Sequence, residues 1–360
     1  AEAVGRLRRL RRRAASKFPP ALAERLLATD KLLQQASSLR LAVYVGRSLR
    51  EATGAADVAD LCCGLGADAV GLAMAGFRVA GYDRSEAAIV CAAHNAESAG
   101  VADRCGFRLA DVTRLDLPPD AVVHVDPDRR DKGRRVHLTE YSPGEDFLRP
   151  LARRTPAGAI KLSPAIGFEA LGGWGEVEFE YVSEDGVCRQ LLVRWPGGTG
   201  SGASRRATVV WGDHADPRHE SIAVGQAGPA PIREPGAWLV EPDPAVIAAH
   251  AEDDLAARHG LWRMEPSLAW LFGREPVDTP LTRCYRVLRT APGRMADVSK
   301  ALKSMDAGLV EVKPRGLKLD TDALQRRFRG KGRRNLVLLW ARTGNRETAF
   351  IAERPAASAS

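Results

Sequence analysis

The stretch Asp60-Leu-Cys-Cys-Gly-Leu-Gly66 decides the fold of the first half of this 360-residue chain. A short apolar run precedes it, and the sequence that follows, ADAVGLAMAG, has the composition of a helix. An acidic residue and two glycines at a strand-to-helix turn are typical of a backbone that makes room for a ligand. The stretch therefore predicts a ligand site at the carboxyl end of a strand.

Strands and helices alternate around this turn. The predicted strands are 57–62, 77–83, 106–110, 121–125 and 159–163, and the predicted helices are 67–76, 85–99 and 144–154. This alternation predicts an α/β fold with a doubly wound, Rossmann-like parallel sheet. A hairpin over 176–195 is predicted to close the edge of that sheet.

Four segments are predicted along the chain, in keeping with two cores for this length. They are a helical N-terminal segment (1–52), the sheet domain (53–212), a proline-rich connecting region (213–280) and a smaller α+β domain (281–355). The last segment is predicted as strand, helix, strand, helix and hairpin.

Composition argues against several classes of protein. No run of eighteen apolar residues is present, so no membrane span is expected. The six cysteines are scattered, without C-x-x-C or metal-ligand spacing, which predicts reduced thiols, a cytoplasmic location and no metal. The net charge of +8 favours a polyanionic partner. No pattern predicts an oligomeric state.

A glycine-rich turn of this kind could hold one of three ligands. A phosphate loop requires Lys-Ser/Thr after the second glycine, where this chain has Ala67-Asp68. A dinucleotide turn prefers a third glycine, here Ala69, and Asp68 would repel the diphosphate. S-adenosylmethionine (SAM) has no phosphate and carries an ammonium and a sulfonium, which suit an acidic strand end. The turn therefore favours SAM.

Acidic residues after the next two strands extend this prediction. Asp83 stands where the ribose hydroxyls would be held, and Asp111 where the adenine would lie. The alternative is that both carboxylates only cap the helices that follow. The candidate cofactor contacts are Asp60, Cys62, Gly64, Leu65, Gly66, Asp83, Arg84, Asp111 and Val112.

The fourth strand ends in Asp126-Pro127, at the edge where open α/β sheets hold their chemistry. A carboxylate beside free carbonyls could orient an amine for methyl transfer, which depends on positioning more than on a strong base. The alternative is a turn that only ends the strand. Lys161, from AIKLSP, is predicted to reach this edge and either bind a phosphate or pair with Asp126. Asp126, Pro127 and Lys161 are the candidate catalytic residues.

Other chemistry has less support. Carbon-5 methylation of a pyrimidine requires a thiol nucleophile, and no cysteine lies near Asp126 in the sequence. His124 and His94 are predicted to be packing residues. Arg129 and Arg130 are predicted either to contact phosphate or to form a solvated basic loop.

Together these motifs resemble class I SAM-dependent methyltransferases, and more closely the bacterial family that joins such a domain to a C-terminal THUMP-like domain. The resemblance is carried by TDKLLQQAS (29–37), DLCCGLGAD (60–68), HVDPDRR (124–130), AIKLSP (159–164), LVEPDPAVI (239–247) and LVEVKPRGLKLD (309–320). RNA methyltransferases of the trimethylguanosine synthase type have a similar D-x-x-C-G-x-G turn. The resemblance implies SAM as cofactor, a structured or tRNA-like RNA as substrate, and a segment near 35–37 that folds over the SAM site.

The chain departs from the usual pattern of amino-methylating enzymes, which follow Asp-Pro with Pro and an aromatic that stacks on the base. Asp128 and Arg129 occupy those places here. The target atom therefore stays open at this stage.

A basic cluster marks the C-terminal segment. Residues 313–334 hold nine basic and two acidic side chains, a net charge of +7. This predicts sequence-independent contact with a nucleic-acid backbone, with a solvated helix face as the alternative. The candidate substrate contacts are Arg129, Arg130, Lys313, Arg315, Arg326, Arg327 and Arg329.

Three functions remain open from the sequence. A SAM-dependent RNA methyltransferase is favoured over a non-catalytic RNA-binding protein whose SAM fold is retained or degenerate. A small-molecule methyltransferase with a basic accessory domain is disfavoured by the basic cluster.

Overall fold

The computed structural model describes residues 2–129, 137–167, 171–196 and 205–355. The chain divides into two compact units, residues 1–221 and 222–360. None of the described helices is long and apolar enough to span a membrane.

Helices form the N-terminal segment. They are α1 (Glu2–Ala14), α2 (Pro20–Ala23), α3 (Asp30–Gln35) and α4 (Leu39–Thr53). Thr29 caps α3 and Ser38 caps α4, each accepting a backbone N–H three residues further on. These two caps fix the residues at which α3 and α4 begin.

A nine-stranded sheet forms the centre of the first unit. Its strands are β1 (Asp57–Leu61), β2 (Arg78–Asp83), β3 (Cys105–Leu109), β4 (Val122–Val125), β7 (Ala157–Leu162), β8 (Glu178–Glu184), β9 (Val187–Trp195), β10 (Arg205–Gly212) and β11 (Pro217–Ala223). Two short strands, β5 (Asp128–Arg129) and β6 (Tyr141–Ser142), pair with each other. The helices between the strands are α5 (Ala67–Met74), α6 (Glu86–Ser98) and α7 (Glu145–Arg154).

The order of the strands is β11-β10-β8-β9-β7-β4-β1-β2-β3. Strands β3, β2, β1, β4 and β7 are all parallel, which confirms the Rossmann-like prediction. The β8–β9 hairpin is present, and β9 pairs antiparallel with β7. The prediction that this hairpin closes the sheet is wrong, because β10 and β11 continue beyond β8.

Close packing of α5 against α4 fixes the helix that follows the glycine turn. A Cβ at Gly71 of α5 would lie 2.4 Å from the backbone of Ala42 in α4, so only glycine permits this approach. On the other side of the turn, Leu33 of α3 and Leu65 share one buried apolar cluster. The N-terminal helices therefore hold the predicted ligand turn in place.

The second unit is built on a six-stranded sheet in the order β13-β12-β14-β17-β16-β15. Its strands are β12 (Trp238–Pro242), β13 (Leu271–Gly273), β14 (Thr282–Pro292), β15 (Ala307–Arg315), β16 (Arg334–Thr343) and β17 (Arg346–Glu353). Its helices are α8 (Pro244–Ala249), α9 (Glu252–His259), α10 (Met295–Ser304) and α11 (Thr321–Phe328). The region 213–280, expected to connect two domains, instead supplies β12 and β13 to this sheet, because β12 pairs with β14 and β13 pairs with β12.

Candidate functional site

A cavity of about 850 Å³ lies at the carboxyl edge of the parallel strands in the first unit. The turns after β1, β2, β3, β4 and β7 line it, together with α3. Parallel strands bring their carboxyl ends to one edge, so motifs distant in sequence meet here. The cavity has the size of a typical cofactor site.

The glycine turn leaves open space towards this cavity. Gly64 has a left-handed φ of 53°, and a Cβ placed on it would meet no atom within 4 Å. Gly66 has a φ of 83°, but its Cβ would press on Ala92 of α6 at 2.9 Å. Gly64 therefore makes room for a ligand. Gly66, predicted as a cofactor contact, does not line the cavity and instead permits close packing of α5 on α6.

Asp83 holds the turn and faces the cavity. Its two carboxylate oxygens accept N–H groups from Gly64 at 3.0 Å and Ser85 at 2.9 Å. Asp111 accepts the Thr113 N–H at 3.0 Å, and the Thr113 hydrogen bonds lower the pKa of Asp111. Asp111 caps the short helix that follows it, as the capping alternative proposed, whereas α6 is capped by Ser85 and not by Asp83. Both carboxylates line the cavity.

Asp60 differs from the prediction made for it. Its side chain is fully buried, does not line the cavity, and contacts Nδ1 of His124 at 2.8 Å. Burial raises the pKa of Asp60. Burial opposes a rise in the pKa of His124, but the contact with Asp60 raises it. The two residues face each other across β1 and β4, so Asp60 contacts His124 within the sheet instead of facing the cavity.

Lys161 lies between two carboxylates at the base of the cavity. It forms an ion pair with Asp126 and lies 3.4 Å from Asp68. Its ammonium donates to the Ser37 hydroxyl at 2.7 Å, and that hydroxyl donates to Asp68 at 2.9 Å. Of the two roles predicted for Lys161, the structure therefore shows the pairing with Asp126.

Asp126 and Asp68 share the ammonium of Lys161, and the pKa values of the two carboxyl groups shift in opposite directions. Burial raises the pKa of Asp126 to about 6, with Lys161 opposing the rise and the Asp68 charge adding to it. Burial would also raise the pKa of Asp68, but Lys161 lowers it. Burial alone would lower the pKa of Lys161, and the two carboxylates raise it instead. Lys161 therefore stays protonated, and Asp126 is the carboxylate that gains a proton first as the pH falls.

The residue after Asp126-Pro127 holds the wall of the cavity. The Asp128 carboxylate accepts hydrogen bonds from Lys31 at 2.8 Å and from the Gln35 amide, both on α3. Lys17 donates to three carbonyls at the end of α3, those of Leu33, Gln34 and Ala36. The segment near 35–37 thus lies against the cavity, as the resemblance implied.

An aromatic side chain lies near the Asp-Pro turn although none follows it in sequence. Tyr141 pairs with Arg129 across β5 and β6 and lines the cavity. The Tyr141 hydroxyl accepts the backbone N–H of Ser163 at 2.8 Å, and Arg129 donates to the Ser163 hydroxyl at 3.4 Å. Arg130, the other predicted contact on this loop, lies outside the described residues.

Sequence reasoning did not single out three side chains that line the cavity, those of Lys31, Asp68 and Tyr141. It also missed Lys17, which donates to the carbonyls at the end of α3. The TDKLLQQAS motif, which contains Lys31, was a usable signal, since the resemblance placed its segment near 35–37 over this site. From the sequence, Asp68 counts only as a charge that would repel a diphosphate.

The environment of the two cysteines of the turn disfavours their thiolate forms. Burial raises the pKa values of Cys62 and Cys63, so both thiols stay protonated near neutral pH. This agrees with the argument against a thiol mechanism. Cys62 has a φ of 66°, a strained conformation for a non-glycine residue that costs about 1–3 kcal/mol and is typical of functional turns.

The cavity fits SAM by its own chemistry. Carboxylates at its edge and base, those of Asp83, Asp68 and Asp126, suit ribose hydroxyls and cationic groups, and Gly64 leaves the space that a side chain would fill. When bound, SAM supplies a methyl group activated by its sulfonium. The candidate cofactor contacts that line the cavity are Cys62, Gly64, Leu65, Asp83, Arg84, Asp111 and Val112.

In the second unit, the basic cluster consists of two kinds of residue. Lys313 and Arg315 pair with the buried Glu241, so they are not free surface cations as predicted. Burial opposes ionisation of Glu241, but Lys313 lowers its pKa. By contrast, Arg326, Arg327 and Arg329 are exposed and form no ion pair with any residue that the structure describes.

Comparisons with known proteins agree with this organisation. A methyltransferase domain model matches residues 58–126, and a THUMP domain-like model matches residues 282–354. Uncharacterized SAM-dependent methyltransferases of two Mycobacterium tuberculosis strains are 35% identical over 346 residues, covering 93% of this chain and 91% of theirs. A crystal structure of a candidate methyltransferase from Porphyromonas gingivalis shares the fold, with a TM-score of 0.77, 20% identity, and coverage of 98% of this chain and 90% of that one. The chain belongs to the family of SAM-dependent methyltransferases, and it joins its methyltransferase domain to a C-terminal THUMP-like domain.

Proposed function

We propose that this enzyme methylates an amine nitrogen of RNA at the Asp126-Pro127 turn. The observation that carries the proposal is the position of Asp126, whose carboxylate lines the cofactor cavity and is held by Lys161. An anionic acceptor next to the cofactor turn suits an N–H donor. It would repel an anionic oxygen nucleophile.

The residues around Asp126 supply positioning. Lys161 fixes the direction of the carboxylate, and Asp68 and Ser37 fix Lys161 in turn. Asp126 then accepts an N–H of the amine, so that the nitrogen lone pair faces the methyl group. Because the methyl donor is already activated, such orientation supplies much of the rate and no strong base is required.

The proposal that RNA is the substrate is supported by charge. Arg326, Arg327 and Arg329 lie in and after α11, are exposed, and belong to the region matched by the THUMP-like model. Unpaired arginines of this kind bind phosphates regardless of sequence. We assign RNA affinity to these arginines and not to Lys313 and Arg315, because the latter two share the Glu241 carboxylate.

The rival function is RNA binding without catalysis. A protein that only binds RNA has no need of a buried Asp126–Lys161–Asp68 arrangement inside a cofactor cavity. Removing one partner of such a buried pair is costly, and keeping it brings little net stability. This arrangement therefore favours catalysis.

Mass spectrometry of nucleosides tests the proposal directly. Total RNA from cells with and without the gene is digested, and the methylated nucleosides are compared. We expect one N-methylated nucleoside to disappear with the gene and to return on complementation. Identical nucleosides in both cells, together with measured RNA binding by the purified protein, would support the rival function instead.

A further inference from the structure

The arginine-rich motif at 6–13 has no part in the mechanism proposed above. It forms most of α1, whose thirteen residues hold six arginines and one glutamate, a net charge of +5. Arg8, Arg9 and Arg12 are exposed and make no ion pair within the part of the chain that the structure describes. Like charges four residues apart on a helix repel each other. This face of α1 therefore carries positive charge that its surroundings do not offset.

The opposite face of α1 fixes the helix to the first unit. Leu10 and Ala14 are 4% and 0% exposed, in the apolar cluster that also contains Leu33 of α3 and Leu65 of the glycine turn. A helix that lies in a membrane surface needs its apolar face for lipid, and here that face is already covered. The arginines are thus held on a rigid surface, which suits a polyanion.

Ion pairs connect α1 to the wall of the cavity. Arg6 and Arg13 each lie 2.8 Å from Asp30, the first residue of α3. The next residue, Lys31, lies 2.8 Å from Asp128, which lines the cavity. The helix that carries the basic face therefore lies beside α3, and two ion pairs connect it to Asp128 in the wall of the cavity.

We propose that the exposed face of α1 binds the RNA backbone next to the nucleotide that enters the cavity. The inference rests on the proposed function, because it takes RNA as the substrate. Guanidinium groups match phosphate geometry and bind it without regard to sequence. The first unit then has a phosphate contact of its own, in addition to Arg326, Arg327 and Arg329 of the second unit.

Two charge-matched double variants of the full-length chain test this proposal. Arg8→Glu/Arg12→Glu changes the α1 face. Arg104→Glu/Arg154→Glu changes the net charge equally, at the amino edge of the sheet, where Arg104 precedes β3 and Arg154 ends α7. Each protein is titrated with a fluorescein-labelled RNA hairpin at several salt concentrations, and SAM affinity is measured by calorimetry.

We expect the α1 variant to bind the hairpin about tenfold more weakly, with the slope of log K against log salt reduced by about 2. SAM affinity should stay unchanged, and the amino-edge variant should bind RNA like the wild type. Arg8→Gln/Arg12→Gln should have a smaller effect in the same direction, and it guards against misfolding caused by the glutamates.

Different results would overturn the inference about α1 and the proposal that RNA is the substrate. Equal hairpin binding by the α1 variants and the wild type overturns the inference. The RNA substrate still stands in that case if Arg326, Arg327 and Arg329 prove necessary. A wild-type protein that binds no RNA overturns both.

Discussion

Charged residues in the cavity and charged residues on the basic surfaces of this protein differ in what surrounds them. In the cavity, Lys161 is 13% exposed and lies between Asp126 and Asp68. On α11, Arg326 and Arg327 face solvent, and no described carboxylate pairs with them. A buried, paired charge fixes geometry, whereas an exposed, unpaired charge attracts a polyanion over a longer range. We therefore assign chemistry to the first group and RNA affinity to the second.

The largest effect on binding is expected for Asp83 in the cavity. Asp83→Ala should weaken SAM binding by about 1–3 kcal/mol, the scale for a lost hydrogen bond to a charged group. Calorimetry measures this directly. Asp57→Ala is the control, because Asp57 forms an exposed pair with Arg78 at the start of β1 and should leave SAM affinity unchanged. Equal affinity in a folded Asp83→Ala protein would place the cofactor elsewhere.

Replacement of the exposed arginines in and after α11 should affect RNA binding and not SAM binding. Replacing Arg326, Arg327 and Arg329 together by Glu should weaken the binding of many RNAs alike, by about tenfold or more, and should flatten the salt dependence. SAM affinity should not change. Fluorescence titrations with several unrelated RNAs provide the measurement. Loss of binding for one RNA only would indicate base readout and would break the contrast between the two groups.

The pH dependence of the methyl-transfer rate is a second test of the cavity. The proposed role depends on ionised Asp126, because a carboxylate accepts an N–H more strongly than a carboxylic acid, and burial raises the pKa of Asp126 to about 6. The rate of methyl transfer should therefore fall about tenfold per pH unit below 6. Because the folded pKa exceeds that of the unfolded chain, ionisation of Asp126 also costs stability as the pH rises through 6. A rate profile that stays flat down to pH 5 would show that this carboxylate is not required in its ionised form.

The smallest effect is expected where cavity and surface meet. Asp128→Ala removes the contacts with Lys31 and Gln35 that hold α3. Lys31 is 69% exposed, so its pair contributes little, and SAM affinity should fall only about two- to fivefold. Lys31→Ala should have the weaker effect of the two, since the Gln35 bond remains. A large loss of affinity would mean that Asp128 contacts the cofactor itself.

Sequence predicted the parts of this structure that depend on local pattern. The glycine turn, Asp83 and the alternation of strands and helices follow from spacing, and the parallel sheet follows from them. The register between neighbouring strands cannot be predicted from local pattern. Asp60 faces His124 only because β1 and β4 pair with those two residues opposite each other.

Contacts between charged and polar residues far apart in the sequence could not be predicted either. Ser37 accepts a hydrogen bond from Lys161, 124 positions away, and Lys313 forms an ion pair with Glu241, 72 positions away. Counting basic residues therefore overestimated the free surface of the C-terminal cluster. A count of basic residues also could not show that Lys161 pairs with two carboxylates, because only the tertiary fold decides which cations have partners.

Methyl transfer by Asp126→Ala tests the central claim most directly. The purified variant and the wild type are mixed with SAM carrying a labelled methyl group and with RNA from cells that lack the gene, and label in RNA is followed under single-turnover conditions. We expect transfer to fall by about 10²-fold or more, since the contact matters in the transition state, with SAM and RNA affinities nearly unchanged. Equal rates for both proteins, or a variant that no longer binds SAM, would contradict the assignment of Asp126 as the group that orients the acceptor.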